Sequence, residues 1–294
     1  MFINAIEKVI QFTRPIHTIS RTYNSTVIQA GASSLFFVNS DGWALTCGHV
    51  AKQIVISGQV LKRKLDFEKD LEATHSRKSN KKWKKELEKK FKLSGSETYE
   101  IYNNFMNCIE GKLGADIKVH KEIDVALIHF KEYSKLLCDS FPIFAKDSSA
   151  IKPGRFVCRL GYPFAEFTNY EYDKNSDKIK WTKTGRFDTP YFPIEGMVTR
   201  GLLGKDKKII GFELSTPGLR GQSGGPAFDV DGRILGIQAA TGHLDMNFDI
   251  EQDVLRGGKK KQVKDYAFLH VGKCIHIEVI KEFMNENGVV FQEG

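Results

Sequence analysis

The run Gly221-Gln222-Ser223-Gly224-Gly225-Pro226 constrains the fold more than any other stretch of this 294-residue chain. Glycine is a poor helix former because it loses the most backbone freedom on ordering, so Gly224 and Gly225 oppose a helix directly after the serine. The residues that follow alternate with a period of two: Ala227-Phe-Asp-Val, the Asp231-Gly232 turn signal, then Arg233-Ile-Leu-Gly-Ile-Gln. Such alternation around an Asp-Gly pair reads as strand, turn, strand. The serine is therefore expected on a loop between strands.

Short β-rich runs recur along most of the chain. Residues 15–58 read as strands, with Thr26-Val-Ile-Gln-Ala, Ser34-Leu-Phe-Phe-Val and an Asp41-Gly42 turn leading into Trp43-Ala-Leu-Thr. Further strands are expected at Ile117-Lys-Val, Asp124-Val-Ala-Leu-Ile-His-Phe, Phe156-Val-Cys-Arg-Leu, Gly196-Met-Val-Thr-Arg, Lys208-Ile-Ile-Gly-Phe-Glu-Leu and Ala267-Phe-Leu-His-Val. Turn signals at this spacing suit barrels or sandwiches. Gly201-Leu-Leu-Gly204-Lys205 lacks the spacing of a phosphate loop and reads as a hairpin turn. Residues 1–12 read as a short helix or arm, 164–190 as a long hairpin or loop, 243–265 as a flexible loop, and Ile277–Asn287 as a C-terminal helix.

One block differs. Residues 59–112 show four-residue spacing, in Trp83, Leu87 and Phe91 and again in Ile101, Phe105 and Ile109, which predicts two or three helices. Ser94 with Glu97 fits a capping box, and Gly111 a helix end. Charge is concentrated here too. The chain carries +8, and residues 61–92 alone hold 13 Lys/Arg and 6 Asp/Glu. Any charge-driven partner is thus a partner of this segment. The five cysteines, Cys47, Cys108, Cys138, Cys158 and Cys274, form no CxxC pair, so neither a disulfide framework nor a zinc site is expected. No apolar run approaches the length of a membrane span and the N-terminus lacks the pattern of a secretion signal; a cytoplasmic protein is expected.

A serine hydroxyl is a weak nucleophile unless a neighbouring base takes its proton. The pattern Gly221-x-Ser223-x-Gly225 also fits the nucleophile elbow of α/β-hydrolases, but that architecture needs a helix after the serine, and the β alternation disfavours it. Upstream, His49 ends Thr46-Cys47-Gly48-His49 and Asp124 opens an apolar strand, giving the chain order His, Asp, Ser. With Phe36-Phe-Val-Asn-Ser-Asp-Gly-Trp-Ala-Leu-Thr-Cys-Gly-His49-Val, Glu122-Ile-Asp124-Val-Ala-Leu, Leu160-Gly-Tyr-Pro163 and Gly221–Pro226, the sequence resembles the trypsin/chymotrypsin superfamily, in particular its bacterial Htr-like branch without a PDZ domain. The likeness covers about residues 25–58 and 115–290.

The resemblance implies an all-β fold of two six-stranded antiparallel barrels, residues 1–150 and 151–294, with a helical insertion and a C-terminal helix. His49 and Asp124 lie 75 residues apart, more than the resemblance implies, and the insert accounts for the excess. The implied activity is serine endopeptidase, with Ser223 as nucleophile, His49 as general base, Asp124 orienting it, and the amides of Gly221 and Ser223 as oxyanion hole. Thr216, Pro217, Gly218, Arg220, Gln238, Ala239 and Ala240 are the implied substrate-binding residues. Pro217 falls where an acid would confer Arg/Lys preference, Gln238 stands roughly where glutamate-specific relatives carry a histidine, and Ala239 and Ala240 leave room, so the resemblance implies a small or medium uncharged substrate side chain. Gln222 stands where digestive trypsins carry the aspartate that receives the new N-terminus. No cofactor and no metal are expected. The alternative reading is a latent or partner-controlled protease-fold module whose basic insert docks an acidic protein, with nucleic acid disfavoured.

Overall fold

The computed structural model describes residues 1–73 and 81–294; the middle of the insert, including His75, lies outside the described residues. After a short helix α1 (Ile3–Val9) come β1 (Thr13–Thr22), β2 (Gln29–Phe37) and β3 (Trp43–Cys47), then helices α2 (Gly48–Glu72) and α3 (Lys81–Lys90). Strands β4 (Thr98–Phe105), β5 (Ile109–Val119) and β6 (Val125–Leu136) complete an antiparallel sheet of order β4-β1-β2-β3-β6-β5. The second half contains β7 (Ile143–Phe144), β8 (Phe156–Gly161), the β9 (Tyr170–Asp173) and β10 (Lys178–Trp181) hairpin, β11 (Phe192–Leu203), β12 (Ile209–Leu214), β13 (Pro226–Phe228), β14 (Ile234–Arg256) and β15 (Lys259–His276). Helix α4 (Ile277–Glu286) and β16 (Gln292–Glu293) end the chain.

Six of these strands close into a ring. The order runs β13-β8-β11-β12-β15-β14, and β14 pairs back onto β13, so no edge is left open within it. Val157, Val198, Phe212, Leu214, Leu235 and Cys274 form a buried cluster here. A larger core joins the two sheets: Leu35, Phe36, Leu45 and Leu127 from the first, and Leu160, Phe228, Ile237 and Ile275 from the second. Helix α4 adds Ile280, Phe283 and Met284 to that core, at the three- and four-residue spacing that places one helical face inward. The fold is thus the double antiparallel β-barrel with a helical insertion and a C-terminal helix.

Three local expectations are corrected. Residues 48–58 are helical, not strand, so the inserted helical segment begins at Gly48. Ile54-Val-Ile56 has strand-like composition, yet Val50, Ala51, Ser57, Val60, Lys64 and Phe67 are buried at helical spacing, while Val55 and Ile56 face solvent. Tertiary burial overrides the intrinsic preference. Residues 98–112 are strands instead of a helix. A spacing of four is also a multiple of two, so Ile101, Phe105 and Ile109 satisfy both periods; β4 pairs with β1 and β5 with β6. Accordingly Ser94 and Glu97 form a backbone turn in place of a capping box, and Gly111 (φ 92°) sits at a bulge in β5. Finally, 243–265 is not a loop but the outer part of a long β14–β15 ribbon turning at Gly257-Gly258, with Lys264 bridging to Asp249 at 2.7 Å.

The expected helix around Leu87 is present as α3. Leu87 packs with Tyr23, Phe67, Leu93 and Tyr99 in a separate small core, whereas Trp83 is largely exposed. The Glu100 carboxylate, fully buried, receives both Arg21 of β1 and Lys64 of α2, which braces the long helix onto the first sheet. All five cysteines are unpaired and buried. Among the described residues no helix is long and apolar enough to cross a membrane.

Candidate active site

Strand pairing brings the first two site residues together. Cys47, the last residue of β3, lies opposite Val125, the first of β6, so the residues flanking the pair, His49 and Asp124, meet at one end of the sheet. His49 occupies the first turn of α2. Its backbone N–H donates to Asp124 Oδ1 at 2.7 Å and its Nδ1 lies 2.7 Å from Asp124 Oδ2. The carboxylate thus serves both an orphan amide of the helix N-terminus, where negative charge is favoured, and the ring. A carboxylate on Nδ1 selects the tautomer with its proton there, leaving the Nε2 lone pair available as a base. Both side chains remain about half exposed, open to a substrate.

Ser223 is delivered by the loop between β12 and β13, and Ser34 pins that loop. The Ser34 N–H donates to the Ser223 carbonyl at 3.0 Å, and its Oγ donates to the Gly221 carbonyl at 2.8 Å while accepting from the Tyr162 N–H at 3.1 Å. Thr46 Oγ1, three residues before His49, donates to the Ser34 carbonyl at 2.7 Å. A side chain at Gly224 would collide with both Ser34 O and Thr46 Oγ1, so glycine there permits the loop to dock on β3. The Ser223 hydroxyl donates to the Ala239 carbonyl at 3.4 Å; among the described residues it makes no hydrogen bond to His49. His49 and Asp124 are in direct contact, and the Ser223 loop is tied to β2 through Ser34.

The turn before the serine has a defined geometry. The Gln222 N–H donates to Leu219 O at 3.0 Å across Arg220-Gly221, and Gly221 has φ +103°. A positive φ at the third residue of a four-residue turn is the type II signature, which glycine adopts without steric cost. A Cβ at Gly221 would lie 2.5 Å from Tyr162 O and 2.7 Å from Pro163 Cα. Neither Gly221 N–H nor Ser223 N–H donates to an acceptor among the described residues. Gln222 is fully buried and satisfied locally, with Leu219 N–H donating to its Oε1 at 3.0 Å and its Nε2 donating to Phe192 O at 2.9 Å. The turn is braced by this amide with no ion pair.

The implied substrate-binding residues lie around the serine loop. Ala239 presents its carbonyl to Ser223, and Ala240 accepts from Gln238 Nε2 at 2.8 Å. Gly218 packs directly on the Gln238 amide, and the Thr241 hydroxyl donates to Gly218 O at 2.6 Å. Thr216 and Pro217 turn their carbonyls toward Arg159. Arg220 is exposed and lines a cleft of about 880 Å³ with Ser33, Gln53, Pro163 and Glu166. Ser34 and Arg159 were not anticipated. Nothing in Ser33-Ser34 distinguishes the pinning serine, but an arginine inside the apolar strand Phe156-Val-Cys-Arg-Leu was a readable anomaly.

Cys47, His49 and Asp124 bring one donor atom each within 4.8 Å of one another. Burial, reinforced by Asp124, pushes the Cys47 thiol well above its ordinary pKa, and its S–H donates to Gln238 O at 3.2 Å. The Cys47 thiol is engaged with the Gln238 carbonyl, while His49 and Asp124 are bonded to each other.

No curated protein sequence matches this chain. Among solved structures, the active form of the Rv3671c protease from M. tuberculosis aligns with a TM-score of 0.47 at 12% identity, covering 99% of this chain and 86% of that one. An inactive form of the same M. tuberculosis protein aligns with a TM-score of 0.45 at 11% identity, covering 97% and 90%. The trypsin-like peptidase domain profile matches residues 33–237, a span that includes His49, Asp124 and Ser223. By that match over most of its length, the chain belongs to the trypsin-like peptidase domain family.

Proposed function

We propose that the protein is a serine endopeptidase in which Ser223, His49 and Asp124 act as a catalytic triad. The observation that carries the reading is the His49–Asp124 pair, with Nδ1 bound to the carboxylate and the same carboxylate capping α2. In this mechanism His49 Nε2 takes the proton of Ser223 Oγ as the oxygen attacks the scissile carbonyl. The imidazolium, held by Asp124, then protonates the leaving amine. Water hydrolyses the acyl-enzyme through the same base. The N–H groups of Gly221 and Ser223 are the proposed donors to the oxyanion, and the type II turn supports the Gly221 assignment by orienting its peptide. The unpaired thiols support a reducing compartment, and the cytoplasm is the proposed location.

A fluorophosphonate probe tests the triad. It is expected to label Ser223, with labelling largely lost in His49→Ala. Equal labelling of His49→Ala, or none of the wild type, would refute the reading.

A specific observation also favours control by a partner. His49 stands in the first turn of a 25-residue helix whose later turns form the basic insert. Force on α3 reaches the proposed base through α2, on which Leu87 packs against Phe67, and Ser223 Oγ is bonded to Ala239 O instead of His49. In this version an acidic protein docking on the insert completes the serine–histidine bond. Charge reversal of Lys84 and Lys85 would then lower turnover in cells while leaving cleavage of a short peptide unchanged; wild-type turnover in cells would remove the insert from the mechanism.

A further inference from the structure

Arg159 lies in the middle of β8 and is fully buried. Nη1 donates to Gln238 Oε1 at 2.7 Å. Nη2 donates to Thr216 Oγ1 at 2.6 Å and to the carbonyls of Thr216 and Pro217 at 3.2 and 3.3 Å. The Nε–H has no partner among the described residues. Every acceptor is neutral. The titratable neighbours that act on the guanidinium are the thiols of Cys158 and Cys274, and burial lowers its pKa. Arg21, the other deeply buried arginine, is paired with the Glu100 carboxylate.

A buried cation without an anion is strongly destabilising unless something repays the desolvation. Its position indicates what that is. Thr216, Pro217 and Gln238 are residues of the implied substrate cleft. The Gln238 amide lies between Gly218, on the cleft wall, and the guanidinium. Gly272 on β15 faces Arg159 Nη1, and any side chain there would fill the guanidinium's space. The Thr241–Gly218 hydrogen bond joins the segment that carries Gln238 to the one that carries Thr216 and Pro217. Glycines at 218 and 272 thus make room for the Gln238 amide and the guanidinium, and that amide stands between the charge and Gly218.

We propose that Arg159 is the specificity-determining residue of this site and selects an aspartate or glutamate side chain on the acyl side of the scissile bond. The inference rests on the peptidase reading above and replaces the expectation of an uncharged pocket. Rotation of the Thr241 hydroxyl and a swing of the Gln238 amide admit the carboxylate. It then takes the acceptor place of Gln238 Oε1 and supplies the missing counter-ion. A neutral isostere cannot do so, because it leaves the desolvated guanidinium without an anion.

The test compares peptides differing only at that residue. Wild type is expected to cleave after Glu or Asp with kcat/KM on the order of 100-fold above Gln or Asn, a range reached where a buried charge is otherwise left unpaired. The Glu-to-Gln ratio is expected to collapse in Arg159→Gln, and also in Gln238→Glu, which supplies an internal carboxylate and keeps the arginine. Binding to Ser223→Ala protein of an acetylated tetrapeptide ending in Glu, against the same peptide ending in Gln, gives a readout independent of turnover. Equal handling of Glu and Gln in both the cleavage and the binding comparison overturns the proposal and leaves Arg159 as a clamp on the Thr216–Pro217 carbonyls. Fluorophosphonate labelling of Ser223 separates that result from failure of the peptidase reading itself.

Discussion

Replacing Ser34 by alanine probes how the Ser223 loop is held. The hydroxyl satisfies two buried backbone groups at once, the Gly221 carbonyl at 2.8 Å and the Tyr162 N–H at 3.1 Å. Alanine leaves both unpaired in a site where Ser34 itself is fully buried. Each orphaned group costs about 1–3 kcal/mol, so the pair should cost roughly 3 kcal/mol. At about 2–4 °C per kcal/mol for a domain of this size, Tm should fall by about 6–12 °C. The backbone bond from Ser34 N–H to Ser223 O survives the substitution, so the barrel should stay folded while the Gly221 turn loosens. Calorimetry and the rate of fluorophosphonate labelling, measured together, should both respond. The exposed Ser40→Ala variant serves as control and should change stability by less than about 0.5 kcal/mol. If Ser34→Ala melts within about 2 °C of wild type and labels at the same rate, the assignment of Ser34 as the pin is wrong.

Other consequences follow from neighbouring features. Gly221→Ala forces a Cβ into Tyr162 O at a positive φ, and displacement of the turn should slow labelling by about 100–1,000-fold, the effect of losing one oxyanion donor; an unchanged rate would separate the turn from the chemistry. His17 is stacked on Phe167 at 4.0 Å and burial lowers its pKa from 6.5 to about 4. The unfolded chain then binds the extra proton, so this contribution is complete above pH 6.5 and is lost as pH falls toward 4, at up to about 1.4 kcal/mol per unit. Urea titrations across that range should show the slope, and His17→Gln should flatten it. All five thiols are buried and unpaired, so a chromogenic disulfide reagent should titrate none in the native protein and five in denaturant; prompt reaction of a native thiol would contradict the packing.

Much of the architecture was legible in local sequence because β alternation and turn residues act over a few positions. Ser223 among its glycines, His49 after an apolar strand and Asp124 before another each carried a local mark. The insert was legible as a change of texture, but its contents were not. Ile101, Phe105 and Ile109 fit both a helix and a strand, since four is a multiple of two; only pairing of β4 with β1 and β5 with β6 resolves the ambiguity. Ile54-Val-Ile56 has strand composition and forms helix because the partners of Val50 and Phe67 lie far away in sequence.

The sequence by itself determined the chain order of His49, Asp124 and Ser223, the all-β class and the presence of a helical insertion between His49 and Asp124, because each is written in residue type and short-range period. The tertiary structure alone decided that Asp124 binds both the ring and the backbone of His49, that Ser34 holds the Ser223 loop from 189 residues away, and that Arg159 is buried against neutral acceptors. These relations join segments remote in the chain. Hydrogen-bond satisfaction and the cost of an unpaired buried charge act on what packing brings together, and no local pattern encodes which segments those are.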